Sequence, residues 1–191
     1  ESSRSDSSSG GQLHFSGGGW QEQTGTGGGP DGAANWYLEN VLQELDVEGE
    51  WYHDPAAGRL YFMPPDGVTP SGLDFVAASL PQVMTIVGDE PQPVSNVTLH
   101  GLTFTASAPT FYERYMAHGP GDWSIFNGGA LRIEWAERIS VQACVFETLG
   151  GNALFMYDSV KNSSVLQSEF VSVGDSAIAA CGWVNLSNPT D

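Results

Sequence analysis

A ten-residue segment recurs three times in the second half of the chain, and the three copies align without gaps. The copies span Ser95–Phe104, Glu137–Phe146 and Lys161–Phe170. Each has an aliphatic residue at its fifth position and a phenylalanine at its tenth; these are Leu99, Val141 and Val165, and Phe104, Phe146 and Phe170. Since the same positions stay apolar in each copy, we expect them to form ladders in one shared core.

A second short run recurs in step with the first. It begins at Ala130, Ala153 and Ala177, so successive copies lie 23 and 24 residues apart. A period in this range, with two strand-like runs in each repeat, is typical of a stacked β-solenoid. The sequence therefore predicts an all-β fold whose coils pack on one another.

The charge balance excludes several classes of function. The 191 residues carry 23 Asp and Glu against 6 Lys and Arg, a formal net charge of -17. Nucleic acids and anionic membrane surfaces are both bound through clustered Lys and Arg. No run is long and apolar enough to span a bilayer. We therefore expect no nucleic-acid partner and no membrane insertion.

Composition divides the chain into three parts. Residues 1–34 form a Gly/Ser-rich leader, which either links or wraps over a neighbouring surface. Residues 35–80 are predicted to be a cap made of a helix and a β-hairpin. Residues 81–191 hold the coils, with an insertion at 108–127, and we expect coils to continue beyond residue 191.

The predicted cap has two recognisable elements. Trp36–Leu45 places its apolar residues on one helical face, with Asn35 as a possible N-cap, so we expect a short amphipathic helix. Two strand-like runs, Glu50–Asp54 and Arg59–Met63, flank the turn residues Pro55–Gly58 and predict a hairpin.

The insertion is visible as a break in the repeat spacing. Asn96 and Arg138 lie 42 residues apart, whereas Arg138 and Asn162 lie 24 apart, which leaves about 18 extra residues between the first two coils. Insertions in solenoids form loops on one face, and that face is often the binding face. We therefore expect this loop either to contact a ligand or to pack as a lid on the coil wall.

The insertion also holds the candidate site residues. Aromatic and polar side chains that suit sugar stacking and hydroxyl recognition are Tyr112, Arg114, Tyr115, His118 and Trp123. Glycoside hydrolysis needs two carboxylates, and Glu113 and Asp122 are the candidates within the insertion. Further acidic candidates lie near successive coil corners, at Glu134, Asp158 and Asp175. Each of these acids is also what a solvated loop would carry.

Three N-glycosylation sequons begin at Asn96, Asn162 and Asn185. Two of them occupy the same position of the repeat, near a coil corner where a glycan could point outward. They predict a secreted, extracellular glycoprotein. The two cysteines, Cys144 and Cys181, do not form a disulfide framework; either they are small apolar residues or they bridge to each other.

The chain resembles a family of secreted right-handed parallel β-helix repeat proteins, the pectate-lyase-like superfamily with its glycosidase-type relatives. The matching residues are Glu39–Asp46, Gly49–Tyr52, Gly58–Phe62, Pro64–Pro65 and Val94–Phe104. The resemblance implies a right-handed parallel β-helix with a helix and hairpin before the first coils. In similar glycosidases the catalytic acids lie on later coils, so no catalytic residue can be carried onto this chain.

Two hypotheses for function follow. In the first, the protein acts on or binds carbohydrate, as a glycosidase-like enzyme or a glycan-binding module; a polyuronate lyase is disfavoured by the shortage of basic residues. In the second, it is a structural building block of an extracellular filament or surface layer, with neighbouring protein subunits as partners. The four histidines show no metal-ligand spacing, and we expect neither a metal nor a cofactor.

Overall fold

The computed structural model describes residues 39–111, 113, 115–117 and 124–182. These residues fall into two compact units, the hairpin unit of residues 39–76 and the parallel unit that begins at residue 77. Regular structure in the described residues is all β, apart from two 3-10 turns at Leu42–Glu44 and Pro70–Gly72.

The hairpin unit contains strands β1 (Trp51–Asp54) and β2 (Arg59–Phe62), which pair antiparallel as the sequence predicts. The turn is held by Asp54, whose Oδ1 accepts hydrogen bonds from the amides of Ala56 and Ala57, each at 3.0 Å. A carboxylate that accepts amides two and three residues ahead is a common device of tight turns.

The prediction of an amphipathic helix at Trp36–Leu45 is wrong for the residues of this segment that the structure describes. Only the 3-10 turn Leu42–Glu44 is helical there, and Val41 is extended. The reason is Asn40, which has a left-handed φ of 55° and uses its side chain to accept the His53 amide and donate to the His53 carbonyl. A residue with this backbone conformation cannot continue a right-handed helix, and its side chain holds it against β1 instead.

The parallel unit consists of short strands. They are β3 (Met84–Val87), β4 (Val94–Ser95), β5 (Thr98–His100), β6 (Thr103–Thr105), β7 (Tyr115–Ala117), β8 (Ser124–Phe126), β9 (Leu131–Glu137), β10 (Ser140–Gln142), β11 (Val145–Leu149), β12 (Leu154–Lys161), β13 (Ser164–Leu166), β14 (Glu169–Val173) and β15 (Ile178–Cys181). All but β7 and β8 pair in parallel.

The described parallel strands form three sheets. Sheet 1 has the order β15-β12-β9-β3, with β4 also paired to β9; sheet 2 has the order β13-β10-β5; and sheet 3 has the order β14-β11-β6. From β9 onward the chain passes through sheets 1, 2 and 3 in turn and then returns to sheet 1. This arrangement is compatible with a β-helix-like fold, since each pass adds one strand to every sheet.

The register of the sheets follows the repeat found in the sequence. Phe146 pairs with Phe104 on one side and Phe170 on the other. The rings stack at centroid distances of 4.6 and 4.9 Å, close to the separation of neighbouring strands. Val141 likewise pairs with Leu99 and Val165. The predicted ladders are therefore confirmed, and they form the main core.

Left-handed backbone positions line up in columns at bends of the parallel unit, two columns between sheets and a third near the ends of the strands of sheet 3; we call all of these bends corners. One column consists of Asn96, Arg138 and Asn162, with φ of 60°, 53° and 49°. Two more columns are Gly101, Ala143 and Gln167, and Ala106, Thr148 and Ser172. Equivalent corners of successive coils thus turn in the same way, although only one of these nine residues is a glycine, for which the conformation is least costly.

Candidate functional site

The insertion between β6 and β9 holds the residues that the sequence singled out. Glu113 is exposed, and Tyr115 lies in β7, opposite Phe126 of β8. The remaining candidates lie outside the described residues; these are Tyr112, Arg114, His118, Asp122 and Trp123. The predicted glycan-contact group therefore stays a prediction.

The start of the insertion is packed tightly against a coil corner. A Cβ added to Gly150 would lie 2.4 Å from the Pro109 nitrogen, and one added to Gly151 would lie 2.5 Å from the Thr110 hydroxyl oxygen. Hydrogen bonds join the same segments, from the Thr110 amide to the Gly150 carbonyl and from the Gly150 amide to the Ser107 carbonyl. A side chain is excluded at Gly150 because the Ala108–Pro109 backbone occupies its space, and at Gly151 because the Thr110 side chain does.

Asn152 fixes the end of the insertion. This residue is 1% exposed, and its Nδ2 donates to the carbonyls of Phe126 and Gly128 at 3.1 and 2.9 Å. Its Oδ1 accepts the Ser176 amide of the following coil at 3.1 Å. A single buried amide therefore ties β8 to two successive turns of the parallel unit, and all of its hydrogen-bonding partners are backbone groups.

The described part of the insertion packs on the outward face of sheet 1. Phe155 and Tyr157 point away from the main core because they alternate with the inward Leu154. Even so, Phe155 is 0% exposed and Tyr157 is 9% exposed. Ile125 of β8 packs against them in a second, smaller core. This packing agrees with the lid interpretation for that part of the insertion.

A charged pair lies beside this covered patch. Arg132 and Glu134 follow the same alternation on β9, next to Phe155 and Tyr157 of β12. The Arg132 Nη2 donates to the Glu134 Oε2 at 2.6 Å, and the two side chains are 20% and 18% exposed. The guanidinium carbon also lies 5.6 Å from the centre of the Tyr157 ring, a cation–π distance. We call Arg132, Glu134 and Tyr157 the outer-face cluster.

Two buried polar atoms next to β9 have no hydrogen-bond partner among the described residues, Nε of Arg132 and Oδ1 of Asn127. Leaving such an atom unsatisfied costs about 1–3 kcal/mol. Groups of this kind are few in native proteins and each calls for an explanation. Near the outer-face cluster the protein therefore retains two buried polar atoms that lower its stability.

Cys181 lies in the row of sheet 1 that contains Tyr157, and it packs against the smaller core. Burial raises the pKa of the Cys181 thiol, because the thiolate is poorly solvated there. Cys144 is buried in the main core, and its Sγ lies 3.3 Å from the Gln142 carbonyl oxygen. Both cysteines are free thiols, and the neutral form of Cys181 is the favoured one.

The outer-face cluster offers donors and acceptors rather than an acid–base pair. It contains a single carboxylate, and that carboxylate is ion-paired. Asp158 lies at a left-handed bend within β12, and Asp175 follows β14 on an exposed turn. Within the described ranges, no group of three or more His, Cys, Asp or Glu side chains could hold a metal ion.

The first two sequons lie on one corner column. Asn96 and Asn162 are exposed and left-handed, a conformation that asparagine tolerates better than most residues. The Asn96 Oδ1 also accepts a hydrogen bond from the Arg138 Nε at 2.8 Å. Backbone geometry alone can therefore account for asparagine at these two corners. Asn185 lies outside the described residues.

The sequence offered a partial signal for the outer-face cluster. Glu134 was a candidate, but as a corner residue, whereas it lies within β9. Arg132 was missed, although the alternation of Leu131, Arg132, Ile133 and Glu134 places both charged side chains on one face. What the sequence did not show is that this face is partly covered.

No protein-family model, no curated protein and no solved structure matches this chain. The resemblance to the pectate-lyase-like superfamily therefore rests on the residues quoted for it and on the parallel sheets. In the part of the chain that the structure describes, no helix has the length and apolar character needed to cross a membrane.

Proposed function

We propose that the protein is an extracellular glycoprotein that binds carbohydrate on the outer face of sheet 1. The observation that carries this proposal is the Arg132–Glu134 pair, which lies partly exposed beside Tyr157. Guanidinium donors next to a carboxylate acceptor suit the hydroxyl groups of a sugar. The buried Tyr157 ring supports the guanidinium through the cation–π contact and is not itself a stacking surface. Such a site has a few fixed polar groups on an otherwise apolar support.

Binding is favoured over hydrolysis by the composition of the outer-face cluster. Hydrolysis of a glycosidic bond uses two carboxyl groups, one of them a proton donor. The cluster has only Glu134, which is neutralised by Arg132 at 2.6 Å. A glycosidase-like activity would need a second acid from elsewhere, such as Glu113 or Asp122.

For the fold we propose a right-handed parallel β-helix of the pectate-lyase-like kind. The three parallel sheets, their shared register and the stacked phenylalanines support it. A fold of this kind hosts many activities, so it does not itself identify a ligand.

Secretion and glycosylation are supported by the exposure of Asn96 and Asn162. When the chain is secreted from a eukaryotic host, treatment with a peptide N-glycosidase should lower its mass. Asn96→Gln and Asn162→Gln should each remove one glycan. An unchanged mass in the untreated and treated samples would contradict glycosylation.

The carbohydrate proposal is tested on a glycan microarray with the full chain, followed by titration of the best neutral glycan. Glu134→Gln keeps the size of the side chain but removes its charge. A hydrogen bond to a charged group contributes about 1.5–3 kcal/mol, so binding should weaken by about tenfold or more. The matched control is Glu147→Gln, an exposed glutamate in β11 of sheet 3, which should bind like wild type.

Two results would overturn this proposal. Absence of binding to any glycan would remove its basis, and an equal loss in both variants would move the site away from sheet 1. The structural alternative, a building block of a filament or surface layer, is favoured by Leu166, Val171 and Ile178, which are between 43% and 50% exposed. Filaments or sheets seen by electron microscopy, without glycan binding, would support that alternative.

A further inference from the structure

The hairpin unit exposes an apolar surface. None of its described residues, 39–76, is fully buried. Trp51, Leu60 and Phe75 are 60%, 52% and 51% exposed, although Phe75 packs edge-on against Phe62 at 5.3 Å. A two-stranded hairpin is marginal in water, and a third strand or a packed face is what stabilises it. We therefore expect this apolar surface to be covered by a binding partner.

One edge of the hairpin is already closed. The Asn40 side chain accepts the His53 amide at 2.8 Å and donates to the His53 carbonyl at 3.2 Å. It thus occupies both outward backbone groups at the middle of β1, as an added strand would. Blocking an edge in this way is a known protection against unwanted pairing.

The other edge, along β2, is open. The Met63 amide donates to the Glu50 carbonyl across the hairpin. Because paired and unpaired positions alternate along antiparallel strands, the backbone groups of Leu60 and Phe62 point outward. Neither residue has a hydrogen-bond partner on that side among the described residues. Arg59 and the Pro64–Pro65 doublet limit this edge to a short stretch.

The charge around the open edge favours one kind of partner. Residues 39–76 contain eight acidic residues and one arginine, a formal charge of -7. A second copy of this chain would carry the same charge and would be repelled. A basic segment would be attracted and would also associate faster.

We propose that the open edge of β2 binds an extended, basic segment of a partner protein as a third strand. The outward amides and carbonyls of Leu60 and Phe62 supply the backbone hydrogen bonds, and the exposed Leu60 side chain supplies apolar contact. When a peptide adds as a strand, main-chain hydrogen bonds usually provide the affinity and side-chain contacts provide the selectivity. This inference does not depend on carbohydrate binding.

The probe is a blocked octapeptide of alternating valine and lysine, titrated into the full chain; its counterpart has glutamate in place of lysine. The basic peptide should bind at least tenfold more tightly, and salt should weaken it. On binding, the amides of Leu60 and Phe62 should gain protection from hydrogen exchange. The Tyr61 amide, which already pairs with Tyr52, should not change.

The variant pair is Leu60→Pro and Leu60→Ala. Proline removes the outward Leu60 donor without breaking a hydrogen bond inside the hairpin, and it is tolerated at an edge. Binding should therefore fall at least tenfold while the hairpin remains. Alanine also lacks the leucine side chain but keeps the donor, and it should retain most of the binding. Equal binding of both peptides, or no loss in Leu60→Pro, would overturn the proposal. So would protection of Leu60 and Phe62 in the free chain, or a dimer that Leu60→Pro dissociates, since the edge would then be occupied by this protein itself.

Discussion

The corner columns give a prediction whose sign depends on backbone geometry alone. Thr148 has a left-handed φ of 52° and an exposed side chain. A left-handed conformation costs an L-residue about 1–2 kcal/mol, and a β-branched side chain is especially disfavoured there. Thr148→Gly removes this cost. Glycine loses about 0.5–1 kcal/mol more backbone entropy on folding, so the net gain should be about 0.5–1 kcal/mol.

The matched control lies across the same sheet. Thr105 is an exposed threonine in β6, one residue before the corner, and its φ is not left-handed. Thr105→Gly removes no strain and loses strand propensity and backbone entropy, which together amount to about 1 kcal/mol. The two threonine-to-glycine changes should therefore have opposite signs.

Urea unfolding followed by tryptophan fluorescence measures both free energies of unfolding. For a chain of this size, the expected gain in Thr148→Gly corresponds to a rise in Tm of about 2 °C. Gln167→Gly, in the next column, should change stability in the same direction. If Thr148→Gly destabilised the protein as much as Thr105→Gly, the left-handed assignment of this corner would be wrong.

Four further outcomes are expected. Gly150→Ala should lower the free energy of unfolding by several kcal/mol in urea, because the added Cβ would overlap the Pro109 backbone. Gly72→Ala is the control and should change little, since no atom lies within 4 Å of its added Cβ. Equal effects of the two variants would contradict the tight corner at Gly150. Phe146→Ala should cost about 3–5 kcal/mol through loss of a fully buried ring and two stacks, and a loss below 1 kcal/mol would contradict the ladder. Because burial raises the pKa of Cys181 in the folded protein, its neutral thiol contributes stability that is fully present below the pKa of the unfolded thiol. The free energy of unfolding should therefore fall as the pH rises through the folded pKa. Cys181→Ser should make this fall smaller. Mass spectrometry should also show Cys181 alkylated more slowly than glutathione, and Cys144 only on unfolding.

The sequence by itself determined the register of the parallel sheets. Positions such as Phe104, Phe146 and Phe170 are apolar in every copy because each faces the same core, and a shift by one residue would turn them to the outside. The hairpin of β1 and β2 was likewise predictable, since turn residues between two strand-like runs are a local signal.

The tertiary structure decided the rest. The helix predicted at Trp36–Leu45 fails from Asn40 onward because the Asn40 side chain bonds to His53, a partner 13 residues away that local periodicity does not reveal. Phe155 is outward by alternation yet fully buried, because Ile125 of the insertion folds back on it. The same packing leaves Arg132 and Glu134 half-buried at its side. The outward face of sheet 1 would be exposed to water if the chain contained the repeats alone, but the insertion covers part of it. Only the folded chain shows which side chains of this face the insertion leaves accessible.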